Sequence, residues 1–223
     1  MPAELEARNA GFSYGAVPIL SNVTVRVAAG HQLGLTGSSG TGKTTLARLL
    51  AGLIPAAAGT VTCNGEPVPL AGRGRSGRKG QIAMLFQSPR ASCSPRLPLR
   101  QVIAEGVRGL NRREAAHRVR ELAAEVQLTS DLLERYPREV SDGQLQQACL
   151  ARALAAEPLY LICDEATAML DAATTASLVR VISTEVQTRG MGVLALSHDR
   201  LLLDAWCTTV TTLAALSAAS REQ

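Results

Sequence analysis

The sequence predicts an α/β fold: a mostly parallel sheet flanked by helices, with a helical segment inserted into it. Three observations carry this expectation. Short apolar strands alternate with helical periodicity at both ends of the chain, and a glycine-rich loop joins one such strand to a helix. Residues 88–147 read as loop and helix with no strand between. At 223 residues and 46% apolar content, the chain can build one substantial core. The expected organisation is one domain over 1–223, with a core of 1–87 and 148–223 and an inserted helical subdomain over 88–147.

The elements follow in order. "ILSNVTVRV" (19–27) alternates as a strand does, and Gly30 ends it. "QLGLT" (32–36) is a short apolar strand leading into the glycine-rich loop and a helix from about Gly42 to Leu53. "GTVTCNGEPV" (59–68) is a short strand with an Asn-Gly turn. The Gly/Arg-rich residues 71–80 predict an exposed, mobile loop, and "QIAMLFQ" (81–87) a strand. Pro89, Pro95 and Pro98 then punctuate a loop. In "NRREAAHRVRELAAEVQ" (111–127), Ala115, Val119, Leu122 and Val126 share one helical face with the charges opposite. A helix over 144–156, a strand over 159–163, a helix over 173–186, a strand over 192–197 and a helix over 200–206 complete the alternation.

Net charge is +4, and of 23 basic residues only Lys43 and Lys79 are lysines. The arginines are scattered and aromatics make up only 3%, so nucleic-acid binding is not expected. Five cysteines in no metal-ligand spacing read as buried apolar residues in a reducing compartment. "MPAELEARNA" has acidic residues and no apolar stretch, so no signal peptide is expected there. No apolar run approaches the roughly 18 residues that span a bilayer, so work at a membrane would go through a partner.

"GSSGTGKTT" (37–45) satisfies G-x-x-x-x-G-K-[ST] through Gly37, Gly42, Lys43 and Thr44. Its glycines let the backbone N–H groups of the loop (Gly37, Ser38, Ser39, Gly40, Thr41, Gly42, with Thr45 beyond) turn inward on phosphates. The helix N-terminus adds its dipole. Lys43 would reach the β- and γ-phosphates, and the Thr44 hydroxyl would ligate Mg²⁺. "LYLICDE" (159–165) is an apolar strand ending in two carboxylates. Asp164 is expected to complete the Mg²⁺ shell, and Glu165 to polarise a water attacking the γ-phosphate. The other reading of the pair is a helix cap. Adjacent carboxylates point to water as the phosphoryl acceptor.

"EVSDGQLQQACLARAL" (139–154) opens a helix with Ser141, Gly143 and Gln144, just before the strand that carries Asp164. It resembles the signature sequence of ABC transporter ATPases. Other motifs match in that family's order. Tyr14 in "FSYG" matches the aromatic residue that stacks on adenine, though alone it would read as a core aromatic. Gln87 in "LFQSP" matches the glutamine that joins the catalytic core to the helical subdomain and contacts Mg²⁺. Asp171 in "MLD" matches the loop that crosses the dimer interface, and His198 in "LSHD" the histidine that contacts the γ-phosphate. The resemblance covers about residues 5–212, and "FQSPRASCSPR" is similar to the oligopeptide, dipeptide and nickel importers.

The resemblance implies a P-loop NTPase (RecA-like) core with a mostly parallel sheet, an antiparallel β edge subdomain and an inserted α-helical subdomain. It also implies ATP and Mg²⁺ as ligands and a second ATPase subunit in a head-to-tail dimer. Two membrane permease subunits, an extracytoplasmic solute-binding protein and a place on the cytoplasmic face of the membrane complete the implied assembly. Two departures stand out. Asp142 brings a negative charge to an end that should face phosphate, and "AALSAASREQ" stops sooner than the family pattern. Two other readings stay open: a soluble ABC ATPase acting on nucleic acid or ribosomes, and a weakly hydrolysing regulatory partner of another ATPase.

Overall fold

A computed structural model describes residues 3–70 and 81–219; the loop expected at 71–80 lies outside them. Strands β1 (Glu4–Tyr14) and β2 (Val17–Ala28) pair antiparallel. After β3 (Gln32–Thr36), β4 (Ala58–Cys63) and β5 (Glu66–Pro67) extend that first sheet in the order β2-β1-β4-β5. The β4–β5 turn is the expected Asn-Gly: Asn64 and Gly65 both have positive φ, 53° and 81°, as a tight two-residue hairpin needs.

The second sheet is parallel. It comprises β3, β6 (Ile82–Leu85), β7 (Tyr160–Asp164), β8 (Gly192–Leu196) and β9 (Thr209–Thr212), in the order β6-β7-β8-β3-β9. Its central strands are apolar on both faces, which is why they read as continuous apolar runs. Leu161, Cys163, Val193 and Ala195 pack on one side with α5 (Asp142–Ala155), α6 (Ala172–Arg189) and α7 (Arg200–Trp206). Tyr160, Ile162, Leu194 and Leu196 pack on the other with α1 (Lys43–Leu50), β1 and β2.

The inserted stretch holds α2 (Pro89–Ser92), α3 (Leu99–Ala104), α4 (Arg112–Glu125) and short 3-10 turns at Ser130–Glu134 and Pro137–Glu139. Asn111 and Glu114 form a capping box at the start of α4. Val119, Leu122 and Val126 are buried as the periodicity predicts, while Ala115 is half-buried.

The first strand, the prolines and two of the cysteines differ from the sequence reading. Strand β1, central in its sheet, had no expected counterpart, because a bulge between Ala7 and Ala10, with Asn9 at φ 50°, breaks its alternation. Its Glu6 lies on the face opposite Leu5 and Ala7, covered by ion pairs to Arg26 (2.9 Å) and Arg8 (3.2 Å). In the proline-punctuated stretch, Pro89 occupies the first turn of α2 and Pro98 the N-cap of α3. There proline starts a helix rather than preventing one. Helix α5 crosses residue 147, as the helix expected over 144–156 does, so the upper bound expected for the inserted segment lies inside one helix. Its buried face, from Leu145 to Leu154, is continuous across that point. Among the described residues no disulfide forms; Cys63, Cys149 and Cys163 are buried, but Cys93 and Cys207 only half-buried.

Candidate active site

The glycine-rich loop follows β3 and opens α1. Gly40 and Gly42 sit at φ 80° and 103°, where a side chain would be strained. Gly42 is the N-cap of α1 and brings no side chain to cap it, and the first turn carries no acidic residue. The N–H groups of that turn therefore remain available to an anion. Lys43 is buried and donates to the carbonyls of Gly37 (2.6 Å) and Ser38 (2.9 Å), which aims its ammonium along the loop.

The remaining groups come from other strands. Thr44 donates its hydroxyl to Asp164 Oδ1 at 2.9 Å. Two residues far apart in sequence thus meet because β3 and β7 flank β8 in one sheet. Burial pushes the Asp164 carboxyl above the usual carboxylate range, opposed by the Thr44 hydrogen bond and by Arg48 and Lys43. Glu165 follows β7 with φ 51°, a left-handed conformation that a non-glycine residue rarely adopts. Strain of this kind gathers at functional positions. It is held by the Glu165 N–H donating to Leu196 O on β8 (3.0 Å). His198, two residues beyond β8, places Nδ1 2.9 Å from Glu165 Oε2. Gln87 lies two residues beyond the end of β6.

Phosphate loop, both carboxylates, glutamine and histidine therefore stand at the carboxyl ends of β3, β7, β6 and β8, where open parallel sheets bind ligands. They enclose a cleft of about 460 Å³ lined by Tyr14, Ile19, Ser39, Gly40, Gly42, Lys43, Thr44, Thr45, Gln87, Glu165 and His198. Tyr14 is 52% exposed and edge-on to Phe12, so it is a rim aromatic rather than a core one.

Ser141, Gly143, Gln144 and Asp171 do not line this cleft. Ser141 caps α5: its hydroxyl accepts from the Gln144 N–H (3.2 Å) and its own N–H donates to Gln144 Oε1 (3.0 Å). Asp171 caps α6, accepting from the N–H and hydroxyl of Thr174. The two caps adjoin, since a Cβ on Gly143 would come within 3.2 Å of Thr174. Asp142, expected to repel phosphate, is paired instead: Arg90 Nε lies 2.6 Å from its Oδ1.

Three supporting residues escaped the sequence reading. Arg90 also donates to Pro137 O and Val140 O. Gln146, buried on α5, donates to Phe86 O at 3.2 Å, beside Gln87. Arg152 donates to Ser92 O at 2.8 Å. A glutamine among the buried positions of an apolar helix face was the one signal available for Gln146.

A strand–P-loop–helix unit with a Thr–Asp contact, a strained glutamate and a histidine on that glutamate defines a nucleoside triphosphatase site. The ABC transporter family model matches residues 20–168. The nickel import ATP-binding protein NikE of Escherichia coli K12 is 37% identical over 196 residues, covering 86% of this chain and 73% of that protein. NikE of Shigella flexneri is 36% identical over the same shares. Among solved structures, Clostridium perfringens cbiO1, part of the ABC transporter complex cbiONQ, superposes with TM-score 0.82 at 21% identity, over 96% of this chain and 85% of that one. The ATP-binding cassette MJ0796, bound to ADP and Pi in a dimer, also reaches 0.82 at 21% identity, over 94% of each chain. The chain belongs to the ABC transporter family, as an ATP-binding and ATP-hydrolysing cassette.

Proposed function

We propose that this chain is the ATPase subunit of an ABC importer for nickel, a metal chelate or peptides. The observation that carries the reading is a divided site. Lys43, Thr44, Gln87, Asp164, Glu165 and His198 converge in this chain, while Ser141, Gly143 and Gln144 lie outside their cleft. A second cassette, identical or homologous, would bring its signature to this cleft head to tail, and this chain's signature would complete the partner's site. The kinship with nickel import proteins supports the choice of cargo class.

In the closed dimer, Tyr14 stacks on adenine, and the loop from Gly37 to Thr45 with Lys43 holds the phosphates. Thr44, Asp164 and Gln87 offer oxygen donors of the kind Mg²⁺ takes, and the Thr44–Asp164 contact already gathers two of them. When bound, Mg²⁺ would neutralise charge on the β- and γ-phosphates. Glu165 takes a proton from water as its oxygen attacks the γ-phosphorus. The bond to the β–γ bridging oxygen breaks, leaving ADP and phosphate. His198 holds the Glu165 carboxylate in place for this.

Around the site, Asp171 and the exposed Met169 and Leu201 would face the second ATPase. Within the helical subdomain over 88–147, the stretch from about Gln87 to Leu110 would dock a coupling helix of a membrane subunit, and two such permeases would hold the ATPase pair at the cytoplasmic face of the membrane. Among the described residues no helix is long and apolar enough to cross a membrane. A solute-binding protein would deliver cargo on the far side, and nucleic acid would have no part.

The test is reconstitution of the chain, with the permease and ATPase subunits that copurify with it, in vesicles. ATP-dependent uptake of nickel, nickel chelates and di- to hexapeptides is then compared. Uptake of one class, abolished by Glu165→Gln, is expected; ATP hydrolysis with no uptake of any of them would remove the importer reading.

A further inference from the structure

Asp142 is the sharpest departure from the family pattern, and its partner Arg90 sits on α2, three residues beyond Gln87. We propose that Arg90 is a positioning residue for the signature end of α5. By neutralising Asp142 and drawing its carboxylate toward the Pro137–Val140 turn, it lets a phosphate on a second cassette meet Ser141 and the helix start instead of an unpaired negative charge. The inference rests on the head-to-tail reading above.

The guanidinium makes three attachments. Nη1 donates to Pro137 O at 2.7 Å, Nη2 donates to Val140 O at 3.1 Å, and Nε lies 2.6 Å from Asp142 Oδ1. A planar fork spreads its donors over three separated points; the three donors of a lysine radiate from one compact nitrogen and do not span them. The Asp142 contact is short but off-line, and no straight hydrogen bond reaches Oδ1, which is itself shut off from solvent. The pairing is therefore mainly coulombic. With both side chains about half-exposed, 47% and 42%, it must weaken as salt rises. Arg90 also joins the segment around Gln87 to the signature helix, as do Gln146 through Phe86 O and Arg152 through Ser92 O. The arginine after the glutamine and the aspartate in the signature thus form one unit, in which the second residue is tolerable because of the first.

The experiment uses the full chain with its copurifying ATPase and membrane subunits, in a Glu165→Gln background so that bound ATP persists. Retention of Mg-ATP is measured at low and high salt, with melting temperature as a check on folding. Arg90→Met is expected to weaken ATP retention roughly tenfold at low salt and less at high salt. Adding Asp142→Gly should restore retention to within roughly twofold of the parent, whereas Arg90→Lys should restore it only in part. A purely structural Arg90 would not be rescued by removing Asp142, so a double variant as weak as Arg90→Met overturns the proposal; so does a silent Arg90→Met. If Arg90→Met does not fold, Asp142→Gly carries the test. It must raise retention at low salt, because Arg90 then faces the phosphate unpaired, and a loss overturns the proposal. Ser141→Gly, which removes the hydroxyl yet caps a helix nearly as well as serine, separates the two levels. Weaker retention in a chain with unchanged melting upholds the head-to-tail reading, whereas no effect removes that reading and the role of Arg90 with it.

Discussion

In the cleft, each side chain proposed to act on the nucleotide stands at or just beyond the carboxyl end of a strand in one parallel sheet, and the central strands of that sheet are buried on both faces. Asp164 is itself buried, and Glu165 is held in a strained backbone by a bond to the neighbouring strand. At the start of α5, by contrast, Ser141, Gly143 and Gln144 are placed by a capping box, and Asp142 by a half-exposed ion pair. The sheet positions its groups rigidly, because moving one would disrupt a core. The helix end is held by a few polar contacts, each sensitive to salt and to substitution. The difference suits the tasks proposed for them: one region would perform chemistry on its own ligand, the other would meet a ligand held by a second cassette.

The largest effect expected from this comparison lies in the cleft. Glu165→Gln keeps size and removes the base, and should lower turnover on the order of 10²–10⁴-fold with ATP still bound. Phosphate release and nucleotide retention measured together check it; turnover within about threefold of the parent would take Glu165 out of the role.

The rigidity of the sheet can be probed away from the chemistry. A Cβ on Gly192 would fall 2.6 Å from the Tyr160 ring, which is buried and anchored by its hydroxyl on Asn64. Gly192→Ala should cost about 1–3 kcal/mol of stability through overpacking. Denaturant unfolding reads this directly, and an unchanged midpoint would mean that the sheet yields more readily than argued.

The smallest effects lie at the rim. Tyr14→Ala should weaken ATP binding by roughly 1–2 kcal/mol, the scale of one base–aromatic stack, with no loss of fold. Tyr14→Phe should be silent, since stacking needs the ring and not the hydroxyl. Calorimetric titration that finds the alanine variant equal to the parent would make Tyr14 a spectator of the cleft it lines.

Much of the cleft was legible in advance because its determinants are local. "GSSGTGKTT" specifies its own turn through glycine, and "LYLICDE" announces a buried strand ending in carboxylates. Strand β1 was not legible, since the bulge between Ala7 and Ala10 interrupts its period. The helices after Pro89 and Pro98 were read as loop, because a proline that opens a helix and one that breaks it look alike until the following residues pack.

The sequence by itself determined the α/β alternation, the glycine-rich loop between strand and helix, and the apolar strand that ends in two carboxylates. Each depends on residues adjacent in the chain, where backbone preference and burial period act directly. Only the tertiary structure decided that Thr44 meets Asp164, that His198 holds Glu165 and that Arg90 answers the charge of Asp142. Those contacts join segments far apart in sequence, and their geometry follows from strand order and helix packing. No local preference encodes which distant partner a side chain will find.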